Sequence, residues 1–186
     1  MHTIIFFGAA RKNGHTKQML DLFCEHLDGD KEIIDAYRQG NIAPCKDCRY
    51  CWKLRECSIK DDMQEWYKKI DAADRIVIAS PIYFNGFPGS LKIIFDRLQV
   101  YWASKVRGDH DKTSTKTSAV LMAGGAPAYD SQFLGGQMTA DAVFADLRAE
   151  CLGNVCLPDS DRDSLDKRPE LAQQIIALAR RMNQSH

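Results

Sequence analysis

Across 186 residues, 25 Lys and Arg balance 25 Asp and Glu, so no net field recruits nucleic acid or an anionic membrane surface. Hydrophobic residues make up 45% of the chain, enough to bury a core within one domain spanning residues 1–186. No apolar run approaches the ~18 residues of a membrane span, and the composition reads as a soluble, near-neutral globular protein.

The elements alternate along the chain. An apolar run at Thr3–Phe7 predicts a first strand, and Met19, Leu20, Phe23 and Leu27 share one face of a helix behind it. A second strand is expected at Glu32–Ala36. Met63, Trp66, Tyr67 and Ile70 then follow helical spacing behind Asp61-Asp62, acids suited to a helix start. The third strand falls at Arg75–Ala79, with a helix after Pro88 carrying Leu91, Ile94, Phe95 and Leu98. Ser104–Lys116 reads as a polar surface loop before a fourth strand at Thr117–Ala123. A further helix lies between Gln132 and Cys151, and a fifth strand at Asn154–Leu157. The polar loop Asp159–Lys167 leads to a last helix after Pro169, with Leu171, Ile175, Leu178 and Met182 on one face. Most of the strands are apolar at successive positions, which suits cover on both faces. Five strands alternating with five helices predict a doubly wound α/β sandwich around a parallel sheet.

Four of the seven cysteines fall within one short stretch, Cys45, Cys48, Cys51 and Cys57, spaced C-x2-C-x2-C-x5-C. Thiolates are soft ligands, and a loop turning every third residue can aim several at one centre. Such spacing is similar to the run that binds an iron–sulfur cluster in bacterial ferredoxins, although there the next cysteine precedes a proline and serves another cluster. Structural zinc usually pairs separated knuckles, which overlapping x2 spacings fit poorly. Zinc and plain thiols remain the alternatives. An odd cysteine count, and an opening apolar run that ends by Ala10 without a cleavage-type sequence, point to the reducing cytoplasm, where thiols persist. Cys24, Cys151 and Cys156 read as small core hydrophobes.

Ligands of doubly wound sheets sit beyond the carboxyl ends of the strands, and three loops there are distinctive. Gly8–Thr16 leaves the first strand and enters a helix, with Arg11 and Lys12 nearby, an arrangement that suits a phosphate. It is neither a Walker A loop nor G-x-G-x-x-G. Ser80–Pro88 brackets Tyr83 and Phe84 between Pro and Gly, as a flat wall for a planar ring would need. Ala123–Pro127 carries Gly124 and Gly125, where a ligand can approach the backbone. Each loop also has a purely structural reading, as a turn or as packing on its own domain. The three coincide, however, at the ends of strands one, three and four.

These residues resemble the flavodoxin-like NADPH-dependent FMN reductases, and among them the iron–sulfur flavoproteins. The resemblance rests on Arg11, Lys12, Gly14 and Thr16; Pro44 through Cys57; Asp61-Asp62-Met63; Ser80, Pro81 and Tyr83; and Leu91-Lys92 with Asp96-Arg97. It implies a flavodoxin-like three-layer sandwich with a five-stranded parallel sheet, a single FMN-binding domain in which residues 44–58 form a cysteine-rich insertion. It implies an NAD(P)H-dependent flavin oxidoreductase, with no catalytic side chain of its own. Ala9, Arg11, Lys12, Asn13, His15 and Thr16 would hold the FMN phosphate. Pro81, Ile82, Tyr83, Phe84, Asn85 and Gly86, with Gly124 and Gly125, would hold the ring. Cys45, Cys48, Cys51 and Cys57 would ligate a 4Fe–4S cluster that passes electrons to a small-molecule or protein redox partner. An electron carrier without a small-molecule substrate, or a flavoprotein with a zinc-binding or metal-free cysteine loop, is the alternative. A homodimer or homotetramer is implied, with Tyr50, Trp52 and the Ser104–Lys116 loop near the subunit boundary. Three departures stand out: Ala9-Ala10 replaces Ser-Pro, His15 replaces Asn, and Asp47 occupies a frequent Gly position. The Asp96-Arg97 pair reads as a structural or interface ion pair.

Overall fold

The run Ile4-Ile5-Phe6-Phe7 shows how the architecture arises. Alternate side chains of a strand leave opposite faces, and both sets are buried here. Ile5 and Phe7 join one core cluster, Ile4 and Phe6 another. A strand with two dry faces needs a helical layer on each side.

The computed structural model describes residues 1–38, 40–109 and 115–185. Its sheet has five parallel strands, β1 (His2–Phe7), β2 (Asp30–Asp35), β3 (Arg75–Pro81), β4 (Lys116–Ala123) and β5 (Ala149–Leu157), in the order β2-β1-β3-β4-β5. That order is flavodoxin-like, with its switch point between β1 and β3. Helices α1 (His15–Glu25) and α6 (Pro169–Gln184) cover one face through Met19, Phe23, Ile175 and Met182. The other face packs against α2 (Met63–Ala72), α3 (Gly89–Arg97), α4 (Gln99–Arg107) and α5 (Leu134–Leu147). Phe95 of α3 meets Phe6 and Phe87 edge-on at 5.5 and 5.6 Å, contacts worth ~0.5–1.5 kcal/mol each beyond area burial. No described helix is long and apolar enough to cross a membrane.

Two elements differ most from the sequence reading. The supposed loop at Ser104–Lys116 begins inside α4, whose Val100, Tyr101, Ala103 and Ser104 are buried. Lys105 and Arg107 disguise the helix, yet cations suit its C-terminal turn, which ends at Gly108 with φ +80. Residues 110–114 of that loop lie outside the described residues. β5 starts five residues earlier than Asn154, because Glu150, Cys151 and Asn154 on this edge strand are exposed and break its apolar pattern. Its register shifts where Cys151 pairs with Ser118 and Gly153 with Ala119, so Cys151 is exposed and not the core residue its apolarity suggested. β2, the other edge, buries only Ile34. Cys24 and Cys156 are half-buried, and burial pushes each thiol up to about 11.

Candidate functional site

At the switch point the chain leaves β1 through Gly8, whose amide donates to Ala79 O at 2.9 Å. The loop then crosses into α1 at Gly14. This helix has no side-chain cap and no acid in its first turn, so its amides and the positive end of its dipole are left for an external anion. Arg38 donates to Asp35 at 2.8 Å and to Ala10 O, which ties the loop to the end of β2.

Opposite stands a two-residue hairpin. Tyr83 and Gly86 exchange backbone bonds of 2.9 and 3.1 Å, and Phe84 and Asn85 between them have φ +50 and +62, as a type I′ turn requires. Asn85 Nδ2 donates to Ser131 O at 3.2 Å, which docks the hairpin against the chain entering α5.

Between these walls lies a cavity of about 300 Å³. Ala9, Arg11, His15, Thr16, Pro81, Ile82, Tyr83 and Gly125 line it. His15 Nδ1 is buried there without a hydrogen-bond partner among the described residues. Other residues expected here lie elsewhere. Lys12 and Asn13 are exposed and outside the lining. Phe84 is fully exposed at 105%, because the tip of a I′ hairpin projects its side chain away from the wall. Asn85 and Gly86 build the hairpin instead of facing the cavity, and Gly124 is buried against Gln132 and Phe133. The sequence reading overlooked Ser160 and Asp161, which line the same cavity. They follow β5, so the rule that ligands sit beyond strand carboxyl ends already pointed to them.

A second cavity, of about 360 Å³, lies over α3 and α4 and is lined by Cys45, Cys48, Cys51 and Cys57 together. Asp47 and Arg49 both adopt positive φ, +46 and +56, turning the chain sharply between successive cysteines. Tyr50–Trp52 forms a 3-10 turn, and Trp52 meets Trp102 of α4 edge-on at 5.1 Å. Arg107 binds Cys51 O. The Ser58 hydroxyl lies 3.1 Å from the Cys48 sulfur, and this hydrogen bond, with the Tyr50 backbone, lowers the Cys48 pKa. Burial raises that of Cys51, and the neighbouring cysteines add to the shift. The thiols therefore sense one another. Among the described residues no three His, Cys, Asp or Glu side chains converge as one ion would require; the four thiols instead ring a basin. Asp96 and Arg97 part company: Asp96 pairs with Lys92 at 2.5 Å, Arg97 with Asp61 at 2.6 Å.

The family profile of NADPH-dependent FMN reductases matches residues 1–132. The chain belongs to the NADPH-dependent FMN reductase family. Among known members of related type, it is 39% identical over 85 residues to an iron-sulfur flavoprotein of Methanosarcina thermophila, a match covering 46% of this chain and 42% of that one. It is 38% identical over 88 residues to an iron-sulfur flavoprotein of Archaeoglobus fulgidus, covering 47% and 43%. The matched part thus spans less than half the length of these relatives. In fold, this FMN reductase family member superposes on an NAD(P)H:quinone oxidoreductase from Methanothermobacter marburgensis with a TM-score of 0.72 at 17% identity, covering 100% of this chain and 98% of that one. It also superposes on an FMN-dependent NADH-azoreductase from Bacillus anthracis, solved with FMN, at 0.64 and 13%, covering 98% and 99%.

Proposed function

We propose that this chain is an NAD(P)H-dependent flavin oxidoreductase that holds FMN at the β1/β3 switch point and a 4Fe–4S cluster in the cysteine basin. One observation carries the flavin reading: a cavity where an uncapped helix start, cationic Arg11 and an unpartnered buried His15 nitrogen face an apolar wall. A phosphate would satisfy the first three, and a planar ring the fourth. Gly125 fits too, since a Cβ there would lie 2.6 Å from Asp161, closing the wall a ring approaches. Bound FMN supplies hydride acceptance from a nicotinamide and release of electrons one at a time. The protein's own work is binding and exclusion of water. Arg11, His15, Thr16 and the α1 amides would hold the phosphate, and Pro81 to Tyr83 with Gly125 would hold the ring.

For the cluster, four thiols around one basin in a turn-rich loop fit a group that sets its own metal and sulfide atoms between the ligands. Residues 1–186 act as one FMN-binding unit with 44–58 inserted, working in the reducing cytoplasm on a small-molecule or protein redox partner. Two or more copies associate.

Anaerobic purification tests this. The protein should carry FMN that NADPH or NADH bleaches, and after reconstitution about four irons and four sulfides per chain. Flavin reduced only by a ferredoxin-type donor would make it an electron carrier. Stoichiometric zinc, or no metal after reconstitution, would end the cluster reading.

A further inference from the structure

The cysteine basin rests on an ion pair that the redox reading leaves unexplained. Arg97, at the end of α3, is 1% exposed, and the Asp61 side chain facing it 5%. Burying two charges is unfavourable unless hydrogen bonds satisfy them, and here those bonds reach the loop on both sides. Arg97 Nη1 donates to Asp61 Oδ2 at 2.6 Å and to Ala43 O at 2.8 Å. Nη2 donates to Asp61 Oδ1 at 3.0 Å and, at 3.4 Å, to Ile59 O. Asp61 in turn accepts the Ala43 amide at 2.9 Å and the Met63 amide at 3.1 Å. Ala43 and Ile59 are the residues that flank the 44–58 loop. One fork of donors thus joins its two ends.

A second observation points the same way. Arg97 lines the cysteine cavity together with Cys57, and its Nε is buried with no acceptor among the described residues. A guanidinium has five donors, and four of Arg97's are used by Asp61 and the loop ends, which anchors the side chain beneath the thiol basin that it lines. Burial works against the guanidinium's charge, yet the bond to Asp61, with Tyr67 and Cys57 nearby, holds it firmly protonated.

We propose that Arg97 is the positioning residue of the cysteine basin, clasping both ends of the loop through Asp61 and placing one fixed positive charge behind Cys57. This inference rests on the cluster reading for its electrostatic half only. Four thiolates bring net negative charge, and net charge and hydrogen bonds to sulfur set the potential of such clusters. The loop-clasping half concerns the protein alone. Lysine keeps the charge but cannot reproduce the planar fork, so Arg97→Lys and Arg97→Met separate the two roles.

The test is amide hydrogen exchange on the full chain stripped of metal anaerobically, followed by reconstitution with iron and sulfide and a reductive titration monitored by paramagnetic resonance. In the native sequence the Ala43 amide should be protected. In Arg97→Lys the amides of 44–58 should exchange on the order of tenfold faster, with the cluster potential close to native. In Arg97→Met the loop should open equally and the potential become more negative. FMN content should match in all three, because the two cavities share no lining residue. Unchanged loop exchange in Arg97→Lys overturns the clasp, and a native potential in Arg97→Met overturns the charge role. If Arg97→Met does not fold, free exchange of Ala43 in the native chain still overturns the clasp. Failure of the native chain to take up iron defeats the cluster reading and leaves the exchange arm to decide.

Discussion

Substituting Gly8 by Ala should damage both the fold and the flavin site, and the size of the effect follows from the packing. Gly8 sits where β1 gives way to the loop that enters α1, pressed against the end of β3. A Cβ there would lie 2.4 Å from Ser80 Oγ, 3.0 Å from Ser80 Cβ and 2.8 Å from Leu91 Cδ2. Ser80 and Leu91 are both fully buried, and the Ser80 hydroxyl donates to Pro81 O at 2.9 Å. Neither neighbour can step aside into solvent. Overpacking of this kind costs about 1–3 kcal/mol, which for a chain of this length lowers Tm by roughly 2–12 °C. Relief by moving the backbone would part Gly8–Thr16 from Pro81–Tyr83, so FMN affinity should fall as well. Calorimetry of the apoprotein and a flavin-fluorescence titration read the two effects separately. Adding Ser80→Gly removes the closest clashing atoms and should recover part of the Tm. A Gly8→Ala protein that melts within about a degree of the native one would refute the reasoning, since it would mean this junction is slack.

Arg11→Glu should weaken FMN binding roughly ten- to a hundredfold, as expected when a charge-assisted contact worth about 1.5–3 kcal/mol is lost; an unchanged dissociation constant would move the phosphate elsewhere. Acid should weaken the Asp61 clasp. Burial opposes its carboxylate, but the hydrogen bond from Arg97, the Ala43 amide and the nearby guanidinium charge outweigh that and hold its pKa below the usual value of 3.8. A group whose folded pKa is lowered contributes stability above its unfolded pKa and loses it as pH falls through the folded value. Urea midpoints should therefore fall more steeply for the native chain than for Asp61→Asn as pH drops from about 5 through the ordinary value of 3.8 and below, and parallel curves would exclude the contribution. At neutral pH, Asp61→Asn should itself cost about 3–5 kcal/mol by stranding Arg97.

What the sequence made legible was what periodicity and spacing encode. Consecutive apolar residues in β1, β3 and β4 announced two-sided burial, and that fixed the sandwich and the loops at its carboxyl edge. The edge strands were less legible because half of their side chains face solvent: Glu150 and Cys151 hide the start of β5. Helix α4 was missed because its buried Ser104 reads as polar and its last turn is basic. Within the site, loop identity could be read but side-chain direction could not. Phe84 and Tyr83 look equivalent in sequence, yet a I′ hairpin turns one to solvent and leaves the other on the wall. Asp61 and Arg97 stood out only as motif fragments, since 36 residues separate them and only the packing of α3 against the loop brings them together.

The hairpin also bears on assembly. Phe84 has φ +50, a conformation that costs a bulky residue about 1–3 kcal/mol, and its ring lies wholly in solvent. Asn85 holds the turn in place through Ser131, so the exposed ring is presented rigidly. The start of α5 lies against this hairpin, with a Cβ at Gly135 falling 2.4 Å from Asn85 O, and Tyr83, Tyr129, Leu134 and Met138 on these segments are each at least half exposed; Leu134 and Met138 are one turn apart on α5. Such a patch beside an open cavity is characteristic of an interface, and Trp52, which meets Trp102 edge-on within its own chain, is also 45% exposed. Burying one Phe ring contributes about 1.5–3 kcal/mol, and a symmetric pairing would use it twice. A second copy over the hairpin would also exclude water from the switch-point cavity, which polar loops alone close poorly. Light scattering at micromolar concentration should give a mass of at least two chains, and Phe84→Asp should shift it toward one without lowering the melting temperature of the subunit. A native chain that runs as a clean monomer and still turns over NAD(P)H would show that one copy completes the site.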